Sequence, residues 1–195
     1  GCEVAAIFLL TEYLNNQNYD SIVFDTAPTG HTLEDISNQI KYTINLTQRI
    51  DGQKKLEEAL GGKEGLRKQI ENLIEGQNLQ QKALDVLKSS STHFLITTLA
   101  EALPLAEAKR SIEALENTYN IPIPGIFING VVPENDHCGY CQSRRRMQNK
   151  YIKQAYAAFP TKVIRQVPLQ PKDVVGADAL KDLANIIYDQ EVKND

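Results

Sequence analysis

The stretch FDTAPTGHTL, Phe24 to Leu33, decides how this 195-residue chain is read. It completes a short β-rich run, YDSIVFD over residues 19–25, whose last residue is Asp25. Parallel α/β sheets bind ligands at the carboxyl ends of their strands. A carboxylate at that position can hold a hydrated Mg²⁺ beside a triphosphate. Thr26 and Thr29 add hydroxyls, Gly30 offers a backbone N–H that a phosphate can approach closely, and His31 adds a polar ring. A glycine in such a loop can swing toward a γ-phosphate and release it after hydrolysis. The plain alternative is an Asp that ends a strand before an ordinary turn. For Asp25 alone that alternative is the better one; for the whole ten-residue string it is not.

Apolar periodicity divides the rest of the chain into alternating elements. Residues 3–16 read as a helix with Val4, Ile7, Phe8 and Leu14 on one face. Residues 33–91 are polar, with apolar positions at helical spacing. Gly61, Gly62 and Gly76 are expected to break that stretch into several helices. A strand is expected over 93–99 (HFLITTL) and a helix over 104–119, with Leu105, Ala108, Ile112 and Leu115 inward. There follow a strand over 125–130 (GIFING), a Cys-bearing loop over 133–143 and a helix over 144–159. A strand over 162–167 (KVIRQV), a Pro-bracketed loop and a last helix near 177–190 complete the pattern. Apolar strands separated by helices argue for an α/β fold with a parallel sheet covered on both faces. The helical stretch 33–91 reads as an insertion between two strands of that sheet.

Composition removes several classes of function. The chain is 42% hydrophobic with a formal net charge of −4, a poor match to a phosphate backbone, so no nucleic-acid partner is expected. The longest apolar run, Ala5 to Leu10, is far short of the roughly 18 residues of a membrane span. Nothing resembles a signal peptide, and three cysteines are too few for a disulfide scaffold, so a reducing cytoplasm is expected.

Cys138-Gly-Tyr-Cys141 is the second chemical feature. Two thiolates can grip a tetrahedral Zn²⁺, but a closed structural site takes four ligands, and Cys2 is the only other thiol. A twofold dimer would complete the set by pairing two identical motifs. His137 as a ligand, a redox pair and two unrelated thiols remain as alternatives. Arg144, Arg145, Arg146, Lys150 and Lys153 read as a solvated basic helix face, and Met147, Tyr151, Ala155 and Phe159 as core.

FDTAPTGHTL resembles the switch II signature of the ArsA-type ATPases, which include the arsenite-pump ATPase and the ATPase that targets tail-anchored membrane proteins. Three further segments match in the family's order: TTLAEALPLAEAKRSIEAL (97–115), IFING with CGYCQSRRRMQNKYI (126–152), and VPLQPKDVVG (167–176). The resemblance implies a P-loop NTPase of the deviant Walker A, SIMIBI class. Its nucleotide-binding domain would span 1–32 and 92–195, and its helical subdomain 33–91. It implies that Asp25 acts through water on Mg²⁺ and that Thr26, Ala27, Pro28, Thr29, Gly30, His31 and Thr32 form switch II near the γ-phosphate of ATP. Asn129 would bond the adenine edge, Pro168 and Leu169 would pack on the base, and Gln170 to Val174 would close the loop. Glu101 stands where the family has a carboxylate that reaches nucleotide across a homodimer. Cys138 and Cys141 of two subunits would share one Zn²⁺, and the client would be a tail-anchored membrane protein.

The chain also departs from that pattern. An ATPase of this class needs a Gly-rich loop with a Lys, and the only Gly-Lys pair here is Gly62-Lys63, followed by Glu64 in a helical context. The chain therefore reads as the C-terminal part of a subunit, inactive by itself: a fragment of a longer gene product, which the Gly-Cys start favours, a split subunit, or a degenerate relative. Met147 is the sole methionine, residues 33–91 carry one narrow apolar stripe per helix and no cysteine, and Glu34 replaces a usual basic residue. A soft metalloid would find no thiol in that region, so an arsenite-pump subunit is the weaker reading. A non-catalytic, zinc-linked dimeric interaction protein with a vestigial site is the reading from another class.

Overall fold

A computed structural model describes residues 19–26, 29–134 and 137–189, with side chains undescribed at 29–37, 39 and 40. The chain divides into two compact units, Gly1–Thr92 and His93–Asp195.

In the first unit, α1 (Thr29–Ala59) and α2 (Glu64–Leu87) pack together. Leu46 and Ile50 of α1 are buried, as are Ile70, Ala83, Leu84 and Leu87 of α2, at the i, i+3, i+4 spacing of one inward stripe. Gln77 donates to the Thr47 hydroxyl at 2.6 Å, and Arg67 pairs with Glu57 at 2.6 Å. The break between the helices falls at Gly61 and Gly62, whose φ values of +70° and +78° lie in the left-handed region that side chains avoid. Gly76, expected to break a helix, lies inside α2 instead. An interior glycine costs only about 1 kcal/mol against alanine, which the packed stripe on either side of it outweighs. The expected helix over 3–16 lies outside the described residues.

The run expected as a strand over 19–25 is not one: residues 19–26 are irregular and exposed, with Val23 92% exposed. Their β propensity is real, but a strand exists only with a ladder partner, and residues 19–26 have none among the described residues. Thr29 to Thr32, expected as loop, form the first turn of α1.

The second unit is a three-stranded parallel sheet in the order β1 (Leu95–Leu99), β2 (Gly125–Val131), β3 (Val163–Pro168). Its crossovers are α3 (Ala102–Asn117) and α4 (Gly139–Ala158), which touch each other, and α5 (Ala177–Tyr188) packs on β3. The core gathers Ile112 and Leu115 of α3, Ile126 and Ile128 of β2, Ile152 and Ala155 of α4, and Ile164 of β3. Central β2 is buried along most of its length, whereas edge strand β1 alternates, with Ile96 and Thr98 buried and Leu95 and Leu99 exposed. The expected cover on both faces is therefore found at β2 and not at β1. α3 ends through Asn120 at φ 54°, a left-handed position that Asn tolerates, with Ile121 N–H returning to Leu115 O at 2.9 Å. At the amino ends of the strands, Lys162 Nζ pairs with Glu116 and donates to Ile123 O at 3.0 Å, while Ile123 N–H donates to Glu116 at 3.2 Å. That ring of bonds ties the end of α3 to the entries of β2 and β3.

Candidate functional site

The carboxyl ends of the three strands lie side by side because parallel pairing puts Leu99 against Asn129 and Val131 against Pro168. Glu101 follows β1 as the residue before α3, Asn129 is in β2, and Pro168, Leu169 and Gln170 leave β3. Five residues singled out in the sequence thus share one sheet edge. Asn129 is exposed, and its Oδ1 accepts from Gly130 N–H at 2.9 Å. An oxygen has a second lone pair, so the amide can still accept while its NH₂ donates. Leu169 is 55% exposed, its N–H donating to Val131 O at 2.8 Å, and Gln170 donates to Pro168 O at 3.0 Å. An exposed apolar side chain and a bifunctional amide at one sheet edge suit the face and edge of a purine base.

The helix α4 frames this edge. The basic face expected to be solvated is partly engaged instead. Arg144 pairs with Glu101, Arg145 Nη1 donates to Val132 O at 3.2 Å, and Arg146 donates to Ser143 Oγ at 3.3 Å. The reason is placement. The helix starts at Gly139 rather than at 144, so its first turns lie beside the strand ends. Sequence reading also missed Gln148, which is 3% exposed and bonds to Gly130 O and Val132 N–H. A glutamine in a basic helix reads as solvated. The signal that finds it is its place four, seven and eleven residues before Ile152, Ala155 and Phe159, all buried.

Cys138 caps α4, accepting from Cys141 N–H at 3.1 Å, and the two sulfurs are bonded to each other as a disulfide at 2.10 Å. The expected zinc-sharing pair is corrected on this point: a disulfide sulfur has no thiolate charge to give a metal. Among the described residues of the chain no group of three or more His, Cys, Asp or Glu side chains could hold a metal ion, so nothing here supports the shared zinc. A Cys-x-x-Cys redox pair is ordinarily set between a strand and a helix. The structure supplies that setting, since the motif follows β2 and opens a helix. Denatured without reductant, the chain should titrate one thiol, that of Cys2, and three after reduction. Three thiols before reduction, together with one zinc per two chains, would restore the shared-metal expectation.

Asp25 and Thr26 belong to the first unit, where both are exposed. Ala27 and Pro28 lie outside the described residues. Thr29, Gly30, His31 and Thr32 are the opening turn of α1, whose backbone N–H groups have no partner within the helix. For Mg²⁺, the one described donor of the expected set is the exposed Asp25 carboxylate, a hard oxygen ligand of the right chemistry. No described helix is long and apolar enough to cross a membrane.

A parallel sheet with helical crossovers and a polar–apolar cluster at its carboxyl edge is the architecture of α/β proteins that bind ligands at that edge. The chain matches the anion-transporting ATPase family over residues 2–189 and belongs to that family, the ArsA-type ATPases. It is 31% identical over 96% of its length to an arsenical pump-driving ATPase of Aquifex aeolicus, covering 64% of that protein. To an ATPase ASNA1 homologue of Entamoeba dispar it is 32% identical over 91% of its length, covering 57% of that protein. To the ATPase get3 of Schizosaccharomyces pombe it is 30% identical over 95% of its length, covering 59%. The chain therefore spans roughly 60% of the length of these curated relatives.

Proposed function

We propose that the chain is the C-terminal, base-binding part of a dimeric, Mg²⁺-dependent ATPase of the deviant Walker A type, working in the cytoplasm. The observation that carries the reading is the meeting of Glu101, Asn129 and Pro168 to Gln170 at one sheet edge. Phosphoryl transfer needs little covalent chemistry from a protein and much positioning and charge stabilisation. Asn129 and Leu169 would hold the base. Asp25 would orient hydrated Mg²⁺, and the Thr26 to Thr32 segment would sense the γ-phosphate and pass its state to α1. In a twofold dimer, Glu101 would reach nucleotide bound to the partner. ATP-driven opening and closing would then act on a client, for which the resemblance to targeting ATPases favours a tail-anchored membrane protein.

Since no Gly-rich loop followed by Lys and Ser or Thr stands in these 195 residues, the purified chain alone should hydrolyse no ATP above background. The full-length protein should hydrolyse it in a Mg²⁺-dependent manner. Turnover by the chain alone would remove the half-site reading, and an inactive full-length protein would favour a non-catalytic interaction protein. The disulfide at the start of α4 supports a second, compatible reading, in which Cys138 and Cys141 form a thiol–disulfide couple. A helix N-terminus stabilises the thiolate such a couple uses.

A further inference from the structure

We infer that Gln148 is a positioning residue for the nucleotide base, holding the kinked stretch of β2 that carries Asn129. The inference rests on the reading of Asn129 as a base contact. Between the pairings Ile128 with Gln166 and Val131 with Pro168, β2 advances by three residues while β3 advances by two. The extra residue is a bulge, and it falls at Asn129–Gly130, where Gly130 takes φ +67°. A bulge leaves backbone groups without ladder partners, and near a core such groups must be satisfied some other way.

Gln148 satisfies one such group in the bulge and a second just past the end of β2. Its Nε2 donates to Gly130 O at 2.9 Å, and its Oε1 accepts from Val132 N–H at 2.8 Å. A carboxamide presents a donor and an acceptor in one plane, as a peptide group does, so this side chain stands in for the missing strand partner. Both bonds are made at 3% exposure, where water cannot replace them. Arg145 Nη1 adds a bond to Val132 O at 3.2 Å, and Arg144 of the same helix pairs with Glu101. The bulge fixes the direction in which Asn129 leaves the strand, and Gln148 fixes the bulge.

The test uses the full-length protein and compares ATP with GTP. Gln148→Met keeps length and volume but removes both bonds. It should weaken ATP binding about tenfold and lower the ATP-to-GTP preference by a similar factor, with the loss in KM rather than in kcat. That preference ratio does not depend on how much protein is folded, so a merely structural role would leave it unchanged. Gln148→Glu keeps the acceptor for Val132 N–H and removes the donor to Gly130 O, and should lower the ratio as well. Because Gln148 acts through Asn129, Gln148→Met added to Asn129→Ala should lower the ratio no further. If both Gln148 variants lose melting temperature and keep the ratio while Asn129→Ala loses it, the inference is overturned. If Asn129→Ala itself keeps the ratio, the base-contact reading fails first and this inference with it.

Discussion

Asp25→Asn in the full-length protein should lower Mg²⁺-dependent ATP turnover by roughly 10- to 100-fold, the loss seen when a group that orients a metal's ligands is removed. Asp25 ends the apolar run Ile22-Val23-Phe24, and it is exposed, with no ion pair among the described residues. Asn has the same shape and can still bond to a metal-bound water, so the substitution isolates the charge. A hydrated Mg²⁺ held through water responds to that charge, because the carboxylate polarises and aligns the waters that complete the octahedron. ATP binding should suffer less than turnover, since the base contacts lie elsewhere in the chain. The measurement is steady-state hydrolysis at saturating Mg²⁺ beside nucleotide affinity by calorimetry. Turnover within about twofold of the unsubstituted protein would return Asp25 to its plain role as an Asp before a turn; on the charge argument the loss should be nearer the size seen for metal-orienting groups.

The parallel sheet was legible because it is encoded locally. HFLITTL, GIFING and KVIRQV are short apolar runs flanked by breakers, and each gave a strand within a residue or two of its expected limits. The helices between them carried 3.6-residue periodicity, and Ala108, Ile112 and Leu115 are buried as read. What the pattern could not carry was anything set by a distant partner. YDSIVFD has the composition of a strand but finds no ladder among the described residues, and hydrogen-bond partners are not a property of the run itself. Gln148 and Arg144 look solvated in sequence because a helix wheel does not reveal which strand end it passes. The oxidation state of Cys138 and Cys141 is likewise a chemical choice between two outcomes of the same spacing. The resemblance singled out Glu101, Asn129 and Pro168 by motif, but that they meet at one edge follows from the parallel pairing, which sends every strand's carboxyl end the same way.

Asn129→Ala should weaken ATP binding by about 1–3 kcal/mol, the cost of leaving a desolvated polar edge unpaired. The amide is fitted for an adenine edge because that edge needs one donor and one acceptor at adjacent positions, and Asn offers both from a single rigid plane. Its Oδ1 is already turned toward Gly130 N–H at 2.9 Å, which fixes the side chain's rotation before any ligand arrives. Pre-orientation of this kind means that little side-chain freedom is lost on binding, so more of the bond's strength appears as affinity. Alanine removes the bonds to the base and also releases Gly130 N–H. Asn129 is exposed and Gly130 only half-buried, so water can replace that second bond and the fold should lose little stability. The expected signature is therefore a large fall in ATP affinity with a small change in melting temperature. Guanine presents the opposite donor and acceptor order at the same edge, so GTP binding should change far less than ATP binding. Calorimetry of both nucleotides on the full-length protein decides it. Equal losses for the two would mean that Asn129 shapes the site without reading the base, and no loss for either would remove it from the site altogether.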